Sequence, residues 1–519
     1  MENKFESNPW QKLDEQGLAS LLQNPEASAE IQTGQEGWQS RAQTGAEKAA
    51  FLHPFNAGQF GDPRFKALFG AKYALYGGAM AVGIASEEMV IALGKAGMLG
   101  SFGAGGLSPA RLNKAIDTIQ AALPEGNYLF NLLNSPFEPA MEQRAVDTYL
   151  ERGIKAIEAS AYLSMTENLV RYRASGLRQG PDGGVEIGNK IIAKLSRQEV
   201  AERFMAPAPA ESLAKLQEKG LISAEQAAMA ARVPMADAIT AEADSGGHTD
   251  NRPLVSLLPS MLTLRDKLQK QYGYAAPVMI GAGGGVSTPE GALAAFSMGA
   301  AFVVTGSVNQ ASLEAGTSEA IRRLLADMAQ TDVIMAPASD MFEMGTKVQV
   351  LKRGTMFPMR GLKLYELYSR YDSIEDIPQE EREKLEKSVF RMPLEAVWEE
   401  CVSFFSKRDP IQLERAAASP KKKMALIFRW YLGLASHWAT EGKAGREMDY
   451  QVWTGPSMGA FNDWTRGTYL EEAGNRRIAD VNLQILQGAA YLQRVRQLEW
   501  QGLRLPEGLR RYLPARPVV

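Results

Sequence analysis

Pro277-Val-Met-Ile-Gly-Ala-Gly-Gly-Gly-Val-Ser-Thr-Pro-Glu290 and, shortly after it, Ala301-Phe-Val-Val-Thr-Gly-Ser307 decide the fold. An apolar run ends in glycines, Thr288-Pro289 supplies a helix cap followed by proline at the first helical position, and a second apolar run follows. That is strand, loop, helix, strand, and a helical crossover makes the two strands parallel. The same alternation extends back to residue 70, with apolar runs at 73–80, 98–102, 127–132, 154–159, 190–195, 237–242, 277–281 and 301–305. Eight such units predict an α/β fold, a closed (β/α)8 TIM barrel. An open doubly wound sheet would carry its glycine-rich loop after the first strand, whereas here it follows the seventh. Helix starts support the reading: Ser86 precedes Glu87-Glu88, and Ser108 precedes Pro109. Ser135 with Glu138, Ser196 with Glu199 and Ser223 with Gln226 fit the reciprocal capping box.

Outward from the barrel, residues 1–69 read as a polar N-terminal lead-in with one short amphipathic piece near 17–22. Residues 70–365 form the barrel, and 200–235 exceed what a crossover needs, predicting extra helices between the fifth and sixth strands. Residues 366–519 show no convincing strand and predict an all-helical C-terminal domain. Six of the eight tryptophans lie there (Trp398, Trp430, Trp438, Trp453, Trp464, Trp500), read as its core. The chain has 519 residues, 45% apolar and 23% charged, which excludes bulk disorder. Its net charge of −3 gives no basis for nucleic acid or an anionic membrane surface. A single cysteine, Cys401, excludes an intrachain disulfide and a cluster held by the chain's own thiolates, and three histidines make a histidine-rich metal site a poor expectation. The start lacks a signal-peptide pattern and no run of about 18 apolar residues follows, so a cytoplasmic protein is expected.

The glycines of 281–290 expose backbone amides at a helix start, a setting for an anion. Thr305-Gly306-Ser307 ends the next strand, and barrels commonly hold phosphate with the loops after strands seven and eight. Val286 stands where a dinucleotide fingerprint needs its third glycine, so that reading is disfavoured. Simple tight turns are the bland alternative. Glu242-Ala-Asp-Ser-Gly-Gly-His248-Thr-Asp places His248 at the active end, where imidazole can exchange a proton near neutral pH. Its alternative is a loop histidine bonded to Asp244 or Asp250. The small residues ending 73–80 would admit a flat cofactor, while Asn131, Lys194 and Ser196 supply an amide, a cation and a hydroxyl at the same mouth. His53 and His437 read as structural, Lys421 to Lys423 as a solvated helix start, and the methionine-rich span 335–359 as packing.

Four segments, 77–86, 242–253, 281–290 and 347–360, together resemble the PfaD-type flavin enoyl reductases, trans-acting subunits of polyunsaturated-fatty-acid and polyketide synthases. The barrel half also resembles the wider nitronate monooxygenase superfamily. The resemblance implies FMN, with Gly78, Ala79 and Met80 lining the isoalloxazine and Asn131 and Lys194 hydrogen-bonding its polar edge. Gly284, Gly285, Gly306 and Ser307 would hold its phosphate, and His248 matches the active-site histidine. Asp244-Ser245 departs from the superfamily's usual Glu-Ala before Gly-Gly-His, leaving the histidine's carboxylate partner open. It implies NADPH as reductant and, as partners, an acyl carrier protein bearing an enoyl thioester and other synthase subunits, with a homodimer as one use of the helical domain. Lys421 to Lys423, Arg429 and Arg353 are the basic candidates for the carrier. A nitronate-oxidising enzyme and an idle scaffold subunit are the rival functions.

Overall fold

The computed structural model describes residues 11–34, 37–41, 49–136 and 138–519. The reading of the extreme N-terminus lies outside these residues. Eight parallel strands close a barrel: β1 (Leu75–Gly77), β2 (Leu99–Phe102), β3 (Tyr128–Leu133), β4 (Ala156–Ser160), β5 (Lys190–Leu195), β6 (Ala238–Glu242), β7 (Met279–Gly283) and β8 (Val303–Thr305). Each strand pairs with its successor, and β8 closes on β1 through Thr305 opposite Gly77. All eight predicted strands are present. Their side chains alternate between the barrel interior and the helical layer, so nearly every strand position is buried and the strands read as continuous apolar runs.

Most of the helix starts are capped as the sequence requires. Ser86 Oγ accepts from the Met89 amide at 3.1 Å, and Thr288 Oγ1 from that of Gly291 at 3.2 Å. Ser223 and Gln226 form both bonds of the capping box, worth about 1 kcal/mol at such a terminus. Two expected boxes are absent. Helix Pro139–Glu151 takes Glu138 itself as N-cap, and that carboxylate pairs with Arg408 at 2.9 Å. Helix Gln198–Met205 begins after Arg197, because the Ser196 hydroxyl donates to Asp250. In both cases a charged tertiary partner outcompetes the local cap. Helices Ala210–Glu218 and Ala224–Ala230 fill the insertion between β5 and β6.

Residues after the barrel divide between two cores. A hairpin, Val333–Pro337 with Lys347–Leu351, and helices Phe357–Arg370, Leu394–Arg408 and Pro420–Glu441 gather around Phe390, Phe428 and Tyr431. Helix Ile478–Trp500 instead returns to the barrel, where Val481, Ile485 and Ala489 join the main core. Gly488 permits that approach, since a Cβ there would sit 2.5 Å from Pro289 Cγ. Trp464 is buried and Trp398, Trp430, Trp438 and Trp453 pack half-buried against these cores, but Trp500 is 77% exposed. The methionine-rich span is the hairpin and its flanks, and Met344, Met356 and Met359 are exposed rather than packed.

The described residues between 11 and 52 are more structured than a lead-in. Strands Gln11–Leu13, Ala29–Gly34, Gly37–Arg41 and Ala50–Leu52 form an antiparallel sheet. With helix Glu15–Gln23, it packs Leu18, Leu22, Ile31 and Leu52 on Leu492, Val495 and Leu498. Short strands covered on one face leave too few apolar residues for a periodicity.

Candidate active site

The strand register carries one polar layer around the C-terminal end of the barrel. Asn131 on β3 stands opposite Glu158 on β4, Lys194 on β5 opposite Thr240 on β6, and Glu242 opposite Gly283 on β7. Below it, Tyr76 from β1 and Thr240 share a buried hydrogen bond of 2.9 Å that spans the floor. Lys194 Nζ lies 3.4 Å from both Glu158 and Glu242. Burial acts on Lys194 first and downwards, but Glu242 and Glu158 outweigh it and hold the ammonium well above an ordinary lysine. One cation facing two carboxylates leaves a negative excess, and burial, with Glu158 nearby, raises the Glu242 carboxyl despite the pull of Lys194. Asn131 donates to the Glu158 carbonyl at 3.1 Å and to Ser160 Oγ at 3.0 Å.

Beyond β1 the chain stays flat against this layer. The Gly78 amide donates to the Thr305 carbonyl at 2.9 Å, a Cβ there would lie 3.1 Å from Val304 Cγ1, and the Ala79 amide donates to Glu158 Oε2 at 3.0 Å. Met80 is half-buried and packs on the barrel core. Gly284 and Gly285 follow β7 with φ of 80° and 77°, in the left-handed region that favours glycine. A Cβ on Gly284 would collide with the Ala243 backbone, whereas one on Gly285 or Gly306 would meet nothing within 4 Å. The backbones of Gly285 and Gly306 therefore border open space, while Gly284 lets the chain pass close to Ala243. Ser287 Oγ, fully buried, has no hydrogen-bond partner among the described residues. Ser307 Oγ accepts the Gly455 amide at 3.0 Å, so a strap from the tail at 454–455 lies across the same corner. Gly246 makes room for it, its missing Cβ falling 2.7 Å from Thr454 Cα.

His248 lies on a two-residue strand, Gly247–His248, paired with the hairpin through Val348. Its Nε2 is 3.0 Å from Asp340 Oδ2, with both side chains about 33% exposed. Burial alone would lower the His248 pKa, but Asp340 overcomes it by charge and hydrogen bond, and Glu242 adds to the rise; Lys194 opposes. Glu242 and Lys194 lie near enough to act on the imidazole by charge. Neither sequence candidate is its partner. Asp244 Oδ1 accepts from Asn251 at 2.9 Å and Gln349 at 2.8 Å, shaping the loop, while Asp250 binds Arg197 and Ser196 and its carboxyl falls to about 2.

The structure thus gathers Gly78, Ala79, Met80, Asn131, Lys194, Gly284, Gly285, Gly306, Ser307 and His248 at one end of the barrel, whereas Ser196 turns to Asp250. Sequence reading missed Glu158, Glu242 and Asp340. A lone charge inside the apolar run of β4 was a signal for Glu158; Asp340, in a loop after the hairpin's first strand, left none.

Comparison with known proteins gives this barrel its class, an oxidoreductase. Residues 62–376 match the nitronate monooxygenase family, and the chain belongs to it. Within that family its place is with the PfaD-type enoyl reductases. It matches the crystal structure of the enoyl reductase domain of MlnA, from the macrolactin biosynthesis cluster of Bacillus amyloliquefaciens, at 38% identity and a TM-score of 0.81, covering 85% of this chain and 99% of that one. One of the polyunsaturated fatty acid synthase subunits of Thraustochytrium is 52% identical over 87% of this chain, and polyketide biosynthesis protein PksE of Bacillus subtilis 44% identical over 84%. The chain spans 31% and 57% of those two relatives' lengths. Residues 371–450 match a second family, the inserted helical domain of [acyl-carrier-protein] S-malonyltransferase. Among the described residues no helix is long and apolar enough to cross a membrane.

Proposed function

We propose that this chain is a trans-acting, FMN-dependent enoyl reductase that uses NADPH to reduce α,β-unsaturated thioesters borne by an acyl carrier protein in polyketide or polyunsaturated-fatty-acid synthesis. The observation that carries the reading is the His248–Asp340 pair facing Lys194 and Glu242 beside an open glycine cradle.

The residues present fit the cofactor. Gly285 and Gly306 border space that a side chain would fill, Gly284 and Ser307 flank them, and the unpartnered Ser287 hydroxyl follows close behind Gly285 in the chain, which suits a phosphate. Gly78, Ala79 and Met80 would line the flat ring, and Asn131 and Lys194 would meet its polar edge. FMN held there supplies hydride transfer from NADPH to the β-carbon of the enoyl group.

The chain's own task is the charge that this addition creates. Negative charge develops on the thioester oxygen, and a preorganised donor must meet it. Asp340 binds Nε2 and keeps His248 protonated to higher pH than an ordinary histidine, so the Nδ1–H can hydrogen-bond that oxygen as charge develops and then pass its proton to the α-carbon. A nitronate-oxidising enzyme would need the same imidazole as a base, and a raised pKa works against that role. The match of 371–450 to the inserted helical domain of [acyl-carrier-protein] S-malonyltransferase supports a carrier protein as partner.

His248→Ala tests the reading. The purified variant should retain yellow flavin and lose enoyl thioester turnover by about 10²–10⁴-fold, the usual worth of a positioned acid. Full turnover in that variant would overturn it.

A further inference from the structure

A cleft of about 800 Å³ separates the barrel from the helical region, within the ~300–1,000 Å³ of small-ligand sites. Its barrel wall is the loop 104–109 after β2 and helix Pro139–Glu151; its other wall is helix Leu394–Arg408. At the inner end stand Asn131 and Tyr149, whose hydroxyl donates to the Asn131 carbonyl at 2.6 Å, so the cleft reaches the polar layer of the barrel mouth. Gly105 keeps this passage open, since a Cβ there would sit 3.0 Å from Leu133 Cδ2 and 3.7 Å from Asn131 Oδ1. The bore is apolar, lined by Leu107, Leu112, Leu133 and Phe404, and Phe404 is 52% exposed.

The lip is charged. Arg408 is neutralised by Glu138 at 2.9 Å and lies over the Phe404 ring, and Glu400 accepts from Trp430 Nε1 at 2.8 Å. Arg144 and Lys407, on opposite walls and both exposed, have no ion-pair partner among the described residues. The two walls therefore each carry a cation without an ion-pair partner, set against the single carboxylate of Glu400, around an apolar passage that ends at the proposed reaction site. The matching ligand has an anionic head, a long uncharged chain and its reactive group at the far end.

We propose that this cleft receives the phosphopantetheine arm of the substrate, with Arg144 and Lys407 clasping its phosphate and the thioester delivered beside Asn131. The assignment rests on the reductase reading, and it gives the helical region a part in substrate binding: helix Leu394–Arg408 supplies half of the clasp.

Calorimetry on the holoenzyme compares 4′-phosphopantetheine with pantetheine. The phosphate should strengthen binding by about tenfold, as charge-assisted hydrogen bonds do, and Arg144→Gln/Lys407→Gln should abolish that difference while circular dichroism stays native. In turnover, the preference of kcat/KM for crotonyl-4′-phosphopantetheine over crotonyl-N-acetylcysteamine should fall by a similar factor in the double variant. Equal binding of the two ligands by the native protein, an undiminished preference in the double variant, or tighter binding of octanoate than of 4′-phosphopantetheine would each overturn the assignment. Absence of turnover with both thioesters would remove the reductase reading, and the calorimetric comparison would still decide the cleft.

Discussion

His248 and Asp340 lie 92 residues apart in sequence and are joined by a 3.0 Å hydrogen bond between Nε2 and Oδ2. The hairpin that follows the barrel makes this possible, because its second strand pairs with Gly247–His248 and its connecting loop carries Asp340. The carboxylate is the main reason that the imidazole is raised despite burial. Protonated His248 should therefore support turnover through neutral pH, with activity falling as pH rises through the raised pKa. Asp340→Asn should move that alkaline limb to lower pH, so that turnover is lost on the alkaline side and partly recovered on acidification. A kcat/KM profile against pH reads this directly, and an unmoved limb would show that Asp340 does not set the proton.

The same pair contributes to stability over a defined window. His248 is raised on folding, so its contribution is complete below its unfolded value near 6.5 and is lost as pH rises through the folded value. Asp340 is lowered despite burial, chiefly by His248, so its contribution is present above 3.8 and is lost as pH falls through the folded value. Thermal unfolding of the native protein should weaken at both ends, and Asp340→Asn should flatten the alkaline decline.

Gly306 offers a test of the cradle. A Cβ there touches nothing within 4 Å. Gly306→Val is to be compared with the native protein by circular dichroism, so that a loss of cofactor is read only on a folded chain. The branches of the new side chain would occupy the space assigned to phosphate, so the purified variant should be colourless. A fully flavinated Gly306→Val would place the phosphate elsewhere.

Lys194 sits between two carboxylates that have little else to balance them. Lys194→Met should cost about 3 kcal/mol, the penalty of stranding a buried charge, and Glu158→Gln added to it should restore much of the loss. Urea unfolding of the two single variants and the double gives the coupling, and strict additivity would mean that the three groups do not act as a unit.

The barrel was legible because its strands are buried on both faces and each ends in glycine or a polar turn, so length and punctuation alone mark them. The mouth was legible in its glycines, Gly78, Gly284, Gly285 and Gly306, because each stands where an apolar run ends. Asp340 was not, because its meaning depends on a hairpin whose short half-buried strands carry no distinctive period. The capping boxes at Ser135 and Ser196 failed for a related reason: local pattern cannot foresee that Arg408 and Asp250, brought in by tertiary structure, offer a stronger partner. The return of helix Ile478–Trp500 to the barrel was equally invisible, since a helix buried nearly all round shows no amphipathic face to assign to either core.

Arg494 on that helix ties the N-terminal sheet to the rest of the molecule. Its guanidinium donates to the carbonyls of His53 at 2.7 Å, Leu21 at 2.8 Å, Ala27 at 3.0 Å and Pro25 at 3.3 Å, and burial lowers its pKa. Met in its place would keep the apolar stem and strand the carbonyl oxygens of His53, Leu21 and Ala27, while that of Pro25 keeps the Phe55 amide, at a cost of about 1–3 kcal/mol for each that water cannot reach. The loss should be local, because Leu18, Leu22 and Ile31 contact the C-terminal helix and its flank rather than the barrel strands. In Arg494→Met, amide exchange should accelerate across residues 15–31 while the barrel strands and flavin content hold. Unchanged protection there would mean that the apolar contacts of Leu492, Val495 and Leu498 hold the sheet unaided.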